Sequence, residues 1–383
     1  MVRRTSTESW IDQKGETVTH TFAVLLGNGF SLAYNPELSV QNLTSELQSQ
    51  FESLGASDAE KALTSLAEES HRAGDQGFEA MLGPLETTAR ALDALTALVP
   101  VAAPTSSMAK LHDVRALVEA IHRVGLSVVL RTIAARSSGA GQGSLDNVWE
   151  FIEGLTNLGP ARFLSVATLS YDGLTHSGLL SCGSPADLAD GRYPKTHELA
   201  PDLHIEGLPL RTEDDMPDDK SPIIQLHGSL GWLRNPDDGA VWKFPLDALR
   251  YPNHWDSFRA GTTDWSPVVV LTDQKERTVV RWPFALAYDV FQQRLIRSDR
   301  WLIAGYGLGD NPVNDLFRSA WSTRRRLGLG EPQVLVVDIG LPDLEQHRTE
   351  VARLFGIPKS RIVVSNAGIP AVVRVGEWDA WTA

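Results

Sequence analysis

The chain has 383 residues, 42% of them hydrophobic and 22% charged, the balance of a soluble globular protein large enough for one elaborated domain or two. A formal net charge of -13 speaks against a general nucleic-acid-binding surface, which needs clustered Lys and Arg, and the basic run Arg324-Arg325-Arg326 reads as a solvated helix end. The single cysteine, Cys182, excludes an internal disulfide and a cysteine-built zinc site; with no apolar signal core after Arg3 and Arg4, and no stretch near the ~20 apolar residues of a membrane span, a cytoplasmic protein is expected.

In chain order, residues 1–21 read as a polar lead-in. The run Phe22-Ala23-Val24-Leu25-Leu26 then predicts a buried parallel strand, breaking into Gly27-Asn28-Gly29-Phe30-Ser31. Glycines followed by a helix N-terminus suit a phosphate cradle, although an ordinary glycine-rich turn fits the same residues. From about residue 40 to 158 almost nothing reads as strand. Leu43, Leu47, Phe51 and Leu54 keep helical spacing, and further helices are predicted over 59–73, 78–99, about 107–135 and 146–158. This predicts a large helical insertion on one side of a sheet. A strand at 161–169 ends in Thr168-Leu169-Ser170-Tyr171-Asp172, and residues 183–221 read as an irregular excursion that could include a short hairpin.

A strand at 222–226 ends at His227-Gly228-Ser229. Trp232, Trp242, Phe244, Trp255, Phe258 and Trp265 then crowd a loop-rich region, where packing is their expected role. Further strands are predicted at 268–271, 300–304, 333–339 and 362–364, with helices at 283–297, from Pro312, and at 344–354. Strands alternating with helices predict an α/β fold: one doubly wound, mostly parallel, Rossmann-like sheet spanning residues 1–383 with the helical insertion set into it.

Ligands of such sheets bind beyond the carboxyl ends of the strands. Here those ends carry Gly27–Ser31, Ser170 and Asp172, His227, the turn Gly305-Tyr306-Gly307, and Asp338. Hydroxyls, carboxylates, an imidazole and glycine turns on one edge favour a dinucleotide site. Individually, His227 also fits a hydrogen-bonded core histidine, Asp172 a helix N-cap and Asp338 a turn residue.

The ordered motifs Gly27-Asn28-Gly29-Phe30-Ser31, Thr168-Leu169-Ser170-Tyr171-Asp172, Leu226-His227-Gly228-Ser229 and Gly305-Tyr306-Gly307-Leu308 resemble the NAD-binding motifs of the sirtuin-like family, most nearly its bacterial branch of antiphage NAD hydrolases. The resemblance covers the sheet-forming segments and not the helical insertion. It implies NAD as substrate over Gly27, Asn28, Gly29, Phe30 and Ser31, with His227 as the base at the nicotinamide ribose. Gly305, Tyr306 and Gly307 would lie against ribose and phosphates, and Asp338 would hold the adenine ribose. It further implies NAD depletion as a defence output, a homo-oligomer, and a partner such as an ATPase/translocase or an Argonaute-like protein.

Two departures stand out. Ser170 occupies the position of the family's usual Asn, so Ser170 works through a water, Asn28 or another residue takes the role, or NAD is bound without being cut. The zinc module of the deacylases cannot be built from one cysteine, so no zinc and no acyl-lysine chemistry are expected. The alternative function is a non-catalytic subunit binding NAD or ADP-ribose within a defence complex.

Overall fold

A computed structural model describes residues 10–11, 17–18, 20–53, 61, 77–102, 105–137, 145–159, 163–182, 185–217, 220–249, 252–271 and 275–383. The helix expected at 59–73 lies outside the described residues apart from Lys61. After a two-residue ladder pairing Trp10–Ile11 with Thr17–Val18, the strands are β1 (Phe22–Leu26), β2 (Leu164–Thr168), β3 (Pro185–Ala186), β4 (Lys195–Ala200), β5 (Leu203–Pro209) and β6 (Ser221–Gln225). They continue as β7 (Gly228–Arg234), β8 (Val241–Lys243), β9 (Ser266–Val269), β10 (Arg300–Ala304), β11 (Gln333–Val337) and β12 (Ile362–Ser365).

Seven of them form a wholly parallel sheet in the order β12-β11-β10-β1-β2-β6-β3. The central strands are apolar throughout because both faces are covered. Phe22, Val24 and Leu26 enter one core while Ala23 and Leu25 enter the other; in β10, Leu302 and Ala304 join the first, Trp301 and Ile303 the second. The doubly wound α/β sheet expected from the alternating pattern is thus present.

The first face carries α1 (Asn28–Tyr34) and the helical insertion: α2 (Val40–Ser53), α3 (Phe78–Ala102), α4 (Thr105–Arg136) and α5 (Asp146–Thr156). The stripe Leu43, Leu47 and Phe51 of α2 meets Leu82 of α3 and Val129 and Leu130 of α4 in that core. Besides the single turn Leu246–Leu249, the further α-helices among the described residues are α6 (Leu174–Cys182), α7 (Pro252–Ala260), α8 (Lys275–Val279), α9 (Phe284–Arg297), α10 (Asn311–Leu327), α11 (Leu344–Phe355) and α12 (Gly376–Thr382). The second face is covered by α9, α10 and α11 through Phe291, Phe317 and Phe355, the last two stacked at 4.7 Å between centroids. No helix among the described residues is long and apolar enough to cross a membrane.

The main departure from the sequence reading lies at 195–269. The segment read as a loop-rich, aromatic stretch contributes to a five-stranded antiparallel sheet, ordered β9-β7-β8-β5-β4. Residues Gly228–Leu233 of β7 are buried on both faces, so no polar–apolar alternation advertises this strand. The hairpin β4–β5 sits within the excursion read at 183–221. The aromatics of this region do pack: Trp232, Phe244 and Trp255 are fully buried, and Phe244 and Trp265 meet edge to face at 5.3 Å.

Candidate active site

From β1 the chain builds outward through β2 and β6, then returns to lay β10, β11 and β12 on the other side. The order therefore reverses between β1 and β10, and the crevice beyond that reversal is the ligand position of open α/β sheets. The two glycine turns meet there. Gly27 donates its N–H to the Ala304 carbonyl and Gly29 to the Gly305 carbonyl, each at 2.9 Å. A Cβ on Gly29 would stand 2.5 Å from Gly305 Cα, and one on Gly305, whose φ is +61°, 2.6 Å from Gly29 Cα. Backbone packed on backbone thus requires these glycines. It also commits two of the N–H groups that the sequence reading offered to a phosphate. Phe30 of the same loop is buried and faces Phe151 at 6.2 Å, as a core residue would.

Across the crevice, Ser31, Ser170 and Asp172 form a buried chain. Ser31 Oγ donates to Asp172 Oδ2 at 2.5 Å and lies 2.8 Å from Ser170 Oγ. A hydroxyl has one proton, so with the Ser31 proton on Asp172 the Ser170 proton points to Ser31. Asp172 also caps α6 by accepting the Leu174 N–H at 3.0 Å, which unites the helix-cap and site readings of this residue. Burial raises its carboxyl above the ordinary range, with the Ser31 and Leu174 hydrogen bonds opposing.

His227 occupies the two-residue corner between β6 and β7, where the chain leaves the parallel sheet for the antiparallel one. Gly228 turns that corner with φ +84°; a Cβ there would lie 2.1 Å from the Val268 carbonyl oxygen. The imidazole is 4% exposed, and its Nε2 stands 3.2 Å from Asp310 Oδ2. The approach is off the axis of a good hydrogen bond, since neither atom has such a partner among the described residues, and the attraction is chiefly electrostatic.

Asp310 is the N-cap of α10, accepting the Val313 N–H at 3.1 Å, and Lys275 Nζ lies 3.1 Å from its Oδ2. Burial pushes this carboxyl up, but His227, Lys275 and the cap outweigh burial and hold it well below the usual range. Lys275 in turn stands 3.7 Å from Glu79 Oε2 on α3, and Glu79 Oε1 lies 2.6 Å from the Tyr171 hydroxyl. Burial, reinforced by Glu79, drives the Tyr171 phenol far up, so it stays protonated.

The Gly305–Asp310 turn is braced from within. The Tyr306 hydroxyl lies 2.9 Å from both the Asp310 carbonyl and Asn314 Oδ1, while Asn314 Nδ2 donates to the Leu308 carbonyl at 2.9 Å. Leu308 carries φ +61°, a conformation rare outside glycine and held here by those bonds. Tyr306 is therefore a strut of the loop. Gly307 has open space beside it. Asp338, half-buried at the end of β11, lies one strand outside the cluster, with Oδ1 accepting the Ile339 N–H at 2.8 Å.

The structure thus brings Asn28, Ser170 and Asp172 onto one small cavity, with Ser31 bonded to the last two, whereas His227 does not line that cavity and connects to it through Asp310, Lys275 and Glu79. It adds Asp310, Lys275 and Glu79, which the sequence reading did not assign. Asp310 had a signal, since an Asp two residues before Pro312 marks a helix start. Lys275 and Glu79 had none; only the fold brings them in. Asn28, Glu79, Ser170, Tyr171 and Asp172 line a cavity of about 90 Å³, small beside the several hundred Å³ that organic ligands occupy. Among the described residues no group of three or more His, Cys, Asp or Glu could hold a metal ion.

No protein-family profile matches the chain, and no curated protein matches it. Among solved structures, one described as "Structural Basis for the Mechanism and Regulation of Sir2 Enzymes" matches at 14% identity and a TM-score of 0.29, over 62% of this chain and 75% of its own. A likeness that slight carries no argument, and the chemistry rests on the residues themselves.

Proposed function

We propose that the protein binds NAD at the carboxyl edge of the parallel sheet and hydrolyses its nicotinamide–ribose bond, releasing nicotinamide and ADP-ribose as the output of an antiphage defence system. The observation that supports this most is that the four motifs resembling the NAD-binding motifs all lie at the carboxyl ends of the parallel strands β1, β2, β6 and β10, two of them in contact at the topological switch point. Cleavage at an anomeric carbon develops an oxocarbenium-like centre, which calls for an oriented base near the ribose hydroxyls and controlled water access. His227 supplies the base, and the Asp310 carboxylate attracts its Nε2 edge electrostatically; a proton on Nε2 leaves Nδ1 as the acceptor. Ser170, with its proton turned to Ser31, presents oxygen lone pairs to a ribose hydroxyl or to the attacking water.

The alternative, a module that binds NAD or ADP-ribose without cleaving it, is favoured by the same Ser170 and by the small cavity beneath Glu79. The two part on one assay. Purified protein incubated with NAD releases nicotinamide under the first reading, and Ser170→Ala slows release about tenfold or more with NAD affinity little changed. Saturable NAD binding with no release selects the second.

A further inference from the structure

A second and larger cavity, of about 490 Å³, lies between α3 and α4 of the helical insertion and the β7–β9 edge of the antiparallel sheet. Its size is that of a small-molecule site. It runs beside the cluster described above: Phe284 forms part of its wall and lies 3.2 Å from where a Cβ of Gly228, next to His227, would stand. The short helix α8 offers Lys275 to Asp310 and Thr278 to the cavity.

The charges in the two places are arranged differently. Four carboxylates reach this cavity, but Glu86 is paired with Arg90, and Asp93 and Glu119 are both paired with Arg115; Asp264 is left at the exposed rim. Facing them are Arg123, Arg234 and Arg281, none of which has a carboxylate within ion-pairing distance among the described residues. Arg123 is half-buried and its Nε has no hydrogen-bond partner among the described residues; the neighbouring His122 Nε2 is likewise buried and unpartnered. Arg234 spends one N–H on the Gly239 carbonyl, and burial alone lowers its pKa. Arg123 and Arg234 are half-buried and Arg281 is exposed, so the first two lose part of their hydration without gaining a carboxylate, although a chain of net charge -13 has many to offer. Phe258, Pro267 and Trp282 supply apolar and ring surface on the same walls.

We propose that this cavity is a second ligand site, taking a phosphorylated, ring-bearing small molecule of mononucleotide size, with Arg123, Arg234 and Arg281 on the phosphate and the aromatic wall against the ring. Guanidinium forks match phosphate oxygens in geometry and charge, and a planar ring suits Phe258 and Trp282. The site is independent of whether NAD is cleaved next door.

Calorimetric titration of the full chain with AMP, and with adenosine as the phosphate-free control, tests it. Saturable AMP binding is expected at one site, at least tenfold tighter than adenosine and weakened by added salt. The double variant Arg123→Ala/Arg281→Ala should weaken AMP at least tenfold, whereas His227→Ala should bind it as the wild type does. If the double variant fails to fold, the exposed Arg281→Glu alone should weaken AMP at least threefold with an unaltered melting curve. Absence of AMP binding, equal affinities for AMP and adenosine, wild-type affinity in the arginine variants, or loss of binding in His227→Ala would each overturn the assignment.

Discussion

Two neighbouring regions of this molecule solve opposite problems with the same kinds of residue. At the carboxyl edge of the parallel sheet, buried His227 and Asp310 face half-buried Lys275, which in turn faces half-buried Glu79, and Glu79 and Asp172 also line a cavity of only about 90 Å³. In the arginine-lined cavity the space is about 490 Å³, and three guanidinium groups face it with no carboxylate within ion-pairing distance among the described residues. A group that performs chemistry has to be held in one orientation, so its neighbours close in. A group that only captures a ligand can leave its charge unanswered until the ligand comes. On the proposed reading, the difference separates a site for reaction from a site for binding.

The sharpest way to break that contrast is His227→Ala. Loss of the base should cut nicotinamide release by about a thousandfold while leaving AMP binding in the larger cavity untouched. Gly305→Ala attacks the switch point itself. With φ +61° and Gly29 Cα 2.6 Å from the new Cβ, the substitution should cost about 3 kcal/mol, measured by denaturant unfolding.

On the other side, α7 lines the cavity through Phe258 and buries His254, whose ring has no hydrogen-bond partner among the described residues; burial lowers its pKa to about 4. The unfolded chain then binds a proton at higher pH than the folded one, so stability is full above the unfolded value of about 6.5 and falls as pH drops towards 4. The loss should reach roughly 3 kcal/mol, and His254→Phe should flatten that slope in unfolding curves taken between pH 7 and 4.

Smaller changes sharpen the contrast within the cluster. Asp310→Asn keeps the helix cap, because Asn caps as well as Asp, but removes the charge facing His227. Turnover should fall about tenfold, with a displaced pH–rate profile that a purely structural role would not produce. Glu79→Gln weakens the contact with Lys275 over the small cavity, and a two- to threefold faster release of nicotinamide is the expected result in a steady-state assay.

The contrast also marks what the sequence could and could not reveal. The parallel sheet was legible because β1, β10 and β11 are short apolar runs ending in glycine or acid, a pattern burial on both faces imposes. The strand-end residues Ser170, Asp172 and His227 were legible for the same reason, since each follows such a run. The antiparallel sheet was legible only at its edges, as a strand at 268–271 and a hairpin allowed within 183–221; its centre was not, because Trp232, Phe244 and Trp265 read as an aromatic loop until pairing with distant strands gives them a register. The arginine cavity was invisible altogether: Arg123, Arg234 and Arg281 lie on three separated elements and meet only through tertiary packing. Glu79, from the helical insertion, reaches the cluster in the same way.

If the strand-end cluster cuts NAD, free nicotinamide is the product that reports it. NAD should be mixed with purified wild-type protein and with the Glu79→Gln and His227→Ala variants, and free nicotinamide and ADP-ribose quantified over time. The account predicts equal amounts of the two products from the wild type, faster release from Glu79→Gln, and release from His227→Ala lower by about a thousandfold. Saturable binding of NAD with no nicotinamide from either the wild type or Glu79→Gln would contradict it.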